Sequence, residues 1–196
     1  MSWRLTDVDR PRPWSFDTKV EIFGERVDGW QLLIAELCVN GGPNHDGTGH
    51  HPPIKHSGFA VLLISLSYFE MVGKYRAGYC KKGDSGKYFK EGVQFAIPDL
   101  ALVPDKAAVK KFLADLYEKV RCGLYHVAGL GPNVGLTGDI PHVIQYESQQ
   151  RVLLINPHLL PIVLRTSLGT YRYELSDPAN TTLRNNFERR FDFDNP

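Results

Sequence analysis

Between Gly58 and Gly73 the chain reads GFAVLLISLSYFEMVG, apolar on nearly every side of any helix it could form. Such a segment has to be enclosed on all faces, by protein or by lipid. It falls short of the roughly 20 residues that a membrane span requires, and it carries Glu70 and two serines. The segment is therefore expected to be a helix buried at the centre of a bundle, with no membrane involved. Everything else in the chain has to supply its neighbours.

Those neighbours are legible to different degrees. From Glu21 to Asn40, Ile22, Val27, Trp30, Leu33, Ile34 and Leu37 recur near helical spacing until Gly41 and Gly42 stop the pattern. The loop NGGPNHDGTGHHPPIKHSG follows, too rich in glycine and proline to continue a helix, and the central helix starts near Ser57. From Tyr79 to Pro104 a glycine-rich polar stretch predicts a loop with one short element. Pro104 and Asp105 then open a third helix, whose Val109, Phe112, Leu113, Leu116, Val120 and Leu124 share one face.

Beyond Gly129 the segment GLGPNVGLTGDIP reads as loop, and HVIQYESQQRVLLIN as two strands around a polar turn, a β-hairpin at about residues 143–155 inserted between helices. Asn156 and Pro157 open a further helix. The predicted class is mainly α: a bundle of about four main helices with one inserted hairpin. Residues 1–20 read as an N-terminal extension, 21–176 as the helical domain, and 177–196 as a terminal helix or tail.

Charge narrows the function classes. With 23 basic against 22 acidic residues the net charge is +1, so any nucleic-acid site has to be local rather than a basic coat. Cys38, Cys80 and Cys122 are odd in number and form no CxxC pair, which argues against a disulfide framework or thiolate zinc site and fits a reducing cytoplasm. The charged, proline-broken N-terminus lacks the apolar core of a signal peptide. No P-loop, dinucleotide-binding or nucleophile-elbow string occurs.

The most informative string is YEKVRCGLYH, residues 117–126, at the end of the third helix. Here Arg121 is followed after four residues by His126. In this respect the chain resembles the HEPN superfamily, whose recurrent mark is R-x4-6-H late in a bundle helix. The central helix is similar in character to the long apolar helices of that superfamily.

The resemblance implies a HEPN-like bundle and a homodimer in which two copies of Arg121 and His126 line one cleft. The activity it implies is metal-independent endoribonuclease cleavage without a cofactor, in a toxin–antitoxin or phage-defence setting. Histidine can carry either proton step near neutral pH, and arginine offers a fixed charge and a planar fork to phosphate oxygens. Five residues along an unbroken helix diverge by roughly 140°, so convergence within one chain calls for the reach of Arg121 or a break at Gly123.

Three other readings stay open. Active relatives commonly place a polar residue after the arginine, where this chain has Cys122; that favours a catalytically inactive module binding RNA, nucleotide or a partner protein such as an antitoxin. Arg121 is otherwise a cation at a helix C-terminus, with His126 in the following turn. His45, Asp46, His50, His51 and His56 offer imidazoles and a carboxylate for a metal-dependent hydrolase, although their spacing matches no zinc motif. Lys81 and Lys82, with Lys87, Lys90, Tyr79, Tyr88 and Phe89 nearby, are expected to guide single-stranded nucleic acid, with Tyr125 beside them. Glu70 has two expected partners, His126 or Lys74 four residues on.

Overall fold

The computed structural model describes residues 10–196 other than 45, 80, 103, 104, 148 and 151. The chain is mainly helical. In order come α1 (Phe16–Val27), a π-helical turn (Asp28–Leu32) and α2 (Leu33–Asn40) as one rod, then α3 (Gly58–Ala77) and α4 (Ser85–Ala96). A 3-10 turn (Pro98–Leu102) leads to a second long rod of α5 (Lys106–Asp115), a π-helical segment (Leu116–Cys122) and α6 (Gly123–Val127). After a small sheet, α7 (Leu160–Ser176) and α8 (Thr181–Asp194) complete the fold.

The central position expected of the apolar run holds for α3, which packs against α2, α4, α6, α7 and α8. Val61, Leu62, Leu66, Tyr68, Phe69 and Val72 are wholly or almost wholly buried. One stripe escapes: Phe59 and Leu63, one turn apart on the same face, remain exposed. The six apolar residues predicted to face inward from the third helix are all buried. Asp105 caps that helix, its carboxylate accepting from the backbone N–H of Ala108 at 2.9 Å; Pro104 lies outside the described residues.

Three expectations need correction. The stretch after Gly78 is not mainly loop: from Ser85 it contains α4, three turns long, whose Tyr88 and Phe89 are core residues and are not available to stack on bases. Trp30 does not face inward. The π turn at Asp28–Leu32 widens the helix locally and shifts the buried stripe to Leu32, Ala35 and Val39, leaving Trp30 exposed. Gly123 is not a break either; its backbone is α-helical, and its missing side chain makes room for the returning chain, since a Cβ there would lie 2.6 Å from the Gly129 carbonyl oxygen.

The predicted hairpin is present within a three-stranded sheet, whose added first strand comes from the segment read as loop. With β1 (Val134–Leu136), β2 (Ile144–Glu147) and β3 (Val152–Ile155), the order is β1-β3-β2, β1 parallel and β2 antiparallel to β3. Leu153 and Ile155 alternate into the core. Tyr146 donates to Asp115 at 3.4 Å and its ring meets Phe112, so the sheet lies along the rod that carries Arg121. Asn156 then ties the sheet to α7, donating to the Gly138 and Ile140 carbonyls and accepting from the N–H groups of His158 and Leu159.

The C-terminal helix α8 folds onto the body. Phe187 and Phe191 are buried in the same core as α3, with Phe187 against Phe23, Tyr75 and Tyr171. Asn186 donates to the Arg76 carbonyl, and Gly78, at a left-handed φ of 70°, lets the end of α3 pass the Asn186 backbone. On the other side Lys19 of α1 holds Glu188 at 2.6 Å and Asp192 at 2.8 Å. Among the described residues no helix is long and apolar enough to cross a membrane.

Candidate functional site

One face of α3 carries Ser67, Glu70, Met71, Lys74 and Tyr75 at helical spacing. These residues floor an open cleft of about 300 Å³. One wall is Arg121, from the π-helical segment, with Tyr125 from α6; the other is Arg190 with Asp194, from α8.

Glu70 is the hub. Arg121 donates to its Oε2 at 2.7 Å, while Lys74 at 2.6 Å and the Ser85 hydroxyl at 2.5 Å both reach Oε1. Of the two partners the sequence offers Glu70, Lys74 is the one it takes, and His126 does not bond to it. Burial raises the affinity of Glu70 for a proton, but the bonds from Lys74, Ser85 and Arg121 outweigh it and hold the carboxyl below its usual range. Burial likewise disfavours the charged Arg121, and the Glu70 carboxylate more than restores it.

A group whose carboxyl is depressed on folding stabilises the protein above its unfolded pKa, and that contribution is lost as pH falls through the folded value. Acid titration of stability should therefore show a loss beginning near the ordinary glutamate range, about pH 4.3, and continuing below it. In Glu70→Gln this component should be missing; urea midpoints measured as a function of pH check it, and an unaltered acid limb would contradict the ion pair.

Two tyrosines fix the Arg121 guanidinium further. It lies 4.9 Å from the Tyr125 ring centre and 5.7 Å from that of Tyr117. Tyr125 is itself pinned, its hydroxyl donating to the Leu63 carbonyl at 2.9 Å, yet it stays 45% exposed. Arg121 thus bonds to a carboxylate of another helix and is not a cap on the carbonyls of its own.

His126 sits in the last turn of α6, exposed, between the exposed side chains of Tyr125 and Val127. It makes no hydrogen bond among the described residues, and it does not line the cleft. Within one chain Arg121 and His126 are not brought together, as an unbroken helix requires.

The basic residues Lys81 and Lys82 do not line the cleft. The bond from Ser85 to Glu70 sets the start of α4 against the site, so that Lys81 and Lys82, both exposed, precede it by only a few residues. Lys90 lies 5.8 Å from the other tyrosine, Tyr117. Tyr79 remains exposed. Arg190 and Asp194 were not anticipated; nothing in a polar terminal segment marks which of its charges will meet α3.

The histidine-rich loop lies elsewhere. Two short strand segments pair Gly42 with His51 and Pro43 with His50. The loop flanks a cavity of about 560 Å³ that includes His51, Glu36 and Arg165. His45 lies outside the described residues. Among those described, no three His, Cys, Asp or Glu side chains converge as metal ligands.

No protein-family model, curated protein or solved structure matches this chain.

Proposed function

We propose that the chain is a metal-independent endoribonuclease that acts as a homodimer, with Arg121 binding the scissile phosphate and His126 transferring a proton. The observation that carries this reading is the charge of the cleft: among the described residues that line it, Lys74, Arg121 and Arg190 stand against the two carboxylates of Glu70 and Asp194, an excess of one positive charge to meet an anion. A phosphodiester suits it, because the arginine fork is already oriented by Glu70 and by two aromatic rings. The half-exposed Tyr125 supports the reading as a stacking surface for a base.

The divergence of the pair supports a homodimeric reading. Arg121 lines the cleft and His126 faces solvent, so a second copy can bring its His126 to the first chain's Arg121. The exposed apolar side chains of Tyr125 and Val127 on either side of His126, and of Leu63, whose carbonyl Tyr125 bonds, favour such a contact. In the reaction a base takes the proton of the ribose 2′-hydroxyl, the 2′-oxygen attacks phosphorus, and the 5′-oxygen leaves with a proton. The products are a 2′,3′-cyclic phosphate and a 5′-hydroxyl.

One observation favours a second reading, a binding module without catalysis: Arg121 is already neutralised by Glu70 at 2.7 Å, and the adjacent residue is Cys122. Purified protein incubated with mixed RNA in EDTA separates the two. Fragmentation by a species whose scattering mass is twice 22.1 kDa is the expected outcome. Intact RNA at high protein excess would overturn the nuclease reading and count for the binding module instead.

A further inference from the structure

The proposed phosphate contact uses one wall of the cleft. The opposite wall is built in a similar way. Arg190 is held by Asp194, with Nε donating to Oδ2 at 2.9 Å and a terminal nitrogen donating to the other oxygen. Its guanidinium lies 5.0 Å from the Phe193 ring centre, and its side chain is only 15% exposed. Each wall therefore presents an arginine whose plane is fixed by a carboxylate and an aromatic ring. Lys74 lies on the floor of the cleft, its ammonium on Glu70 at 2.6 Å.

The position of Arg190 is not left to a mobile tail. Phe187 and Phe191, on the inner face of α8, are buried in the core, and Lys19 grips Glu188 and Asp192 from α1. Arg190 and Asp194, one turn apart, are set toward α3 by those anchors. An oriented guanidinium loses little freedom when it takes up an oxyanion, which suits it to phosphate better than a free surface lysine.

We infer that the cleft is a two-phosphate site, in which Arg190 holds the backbone phosphate next to the one held by Arg121 and Lys74 is shared between them. The ligand class is single-stranded RNA, entering across α3 with Tyr125 beneath a base. This inference rests on the reading of the cleft as an RNA site. It adds a substrate-binding residue from α8, more than 60 residues along the chain from Arg121.

The test uses a fluorescein-labelled 2′-O-methyl oligouridylate, which lacks the attacking hydroxyl, with anisotropy followed over a salt series in EDTA. On single strands each phosphate neutralised contributes about −0.7 to the slope of log K against log salt. The double variant Arg190→Gln/Asp194→Asn keeps the net charge, so a slope shallower by about 0.7 reports a lost contact and not a changed field. Asp194→Asn alone should bind more tightly than wild type, because it releases Arg190 from its counter-ion. A wild-type slope in the double variant, or unchanged or weaker binding by Asp194→Asn, would overturn the role of Arg190 and leave Arg121 as the phosphate ligand. Failure of the wild-type chain to bind the oligomer overturns the RNA reading itself.

Discussion

Gly92→Ala is expected to destabilise the protein by about 3 kcal/mol or more, although alanine is ordinarily the better helix residue by about 1 kcal/mol. A Cβ at Gly92 would lie 1.8 Å from the Phe69 carbonyl oxygen, and one at Gly73 would lie 2.0 Å from that of Tyr88. Both obstacles are backbone, so no side chain can rotate away, and α3 and α4 would have to separate. Separation would pull Phe89 from Phe69 and Tyr117 and the Ser85 hydroxyl from Glu70, damaging core and cleft together. Gly169→Ala is the control: among the described residues nothing stands within 4 Å of its Cβ position on α7, and it should be neutral or stabilising by up to about 1 kcal/mol. Urea midpoints compare the two; equal midpoints would contradict the close helix contact.

The second large effect separates the two residues of the motif. His126→Ala should cut RNA about 100- to 10,000-fold more slowly than wild type. Its stability should stay within about 0.5 kcal/mol, because the side chain is exposed and bonds to nothing among the described residues. Arg121→Ala should lose cleavage and stability together. Removing the guanidinium leaves Glu70, 13% exposed, with Lys74 and Ser85 alone, at an expected cost of about 1–3 kcal/mol. Single-turnover rates and urea midpoints on the same preparations resolve this. Wild-type rates in His126→Ala would remove the histidine from the mechanism, and an unchanged midpoint in Arg121→Ala would remove the ion pair from the fold.

How far these features could be read beforehand depends on the distance over which each is encoded. The central helix and the Val109 to Leu124 stripe are local periodic signals, and both appear where the periodicity puts them. α4 is hidden by its own packing. Gly86 and Gly92 look like helix breakers, yet Gly86 lies beneath the Tyr117 ring, 3.0 Å from where a Cβ would be, and Gly92 admits the α3 backbone. The π turn near Trp30 defeats a strict helical period by one register step. β1 is three residues long with Gly135 at its centre, too brief to stand out from a loop.

The cleft divides in the same way. Arg121 is marked by its spacing to His126, and Lys74 by its four-residue offset from Glu70. The junction of Glu70 with Arg121 joins positions 51 residues apart, and the arrival of Arg190 depends on how Phe187 and Phe191 seat α8. Such contacts are set by tertiary packing, which no local pattern records.

The proposal is that RNA is cut at this cleft, completed by His126 of a second copy, with no metal and through the ribose 2′-hydroxyl. Its most direct measurement is the mass of the 3′ ends left on RNA by the wild-type chain in EDTA. The expected ends are 2′,3′-cyclic phosphates paired with 5′-hydroxyls. Fragments bearing 3′-hydroxyl ends, or cleavage that begins only when a divalent metal is added, would contradict it.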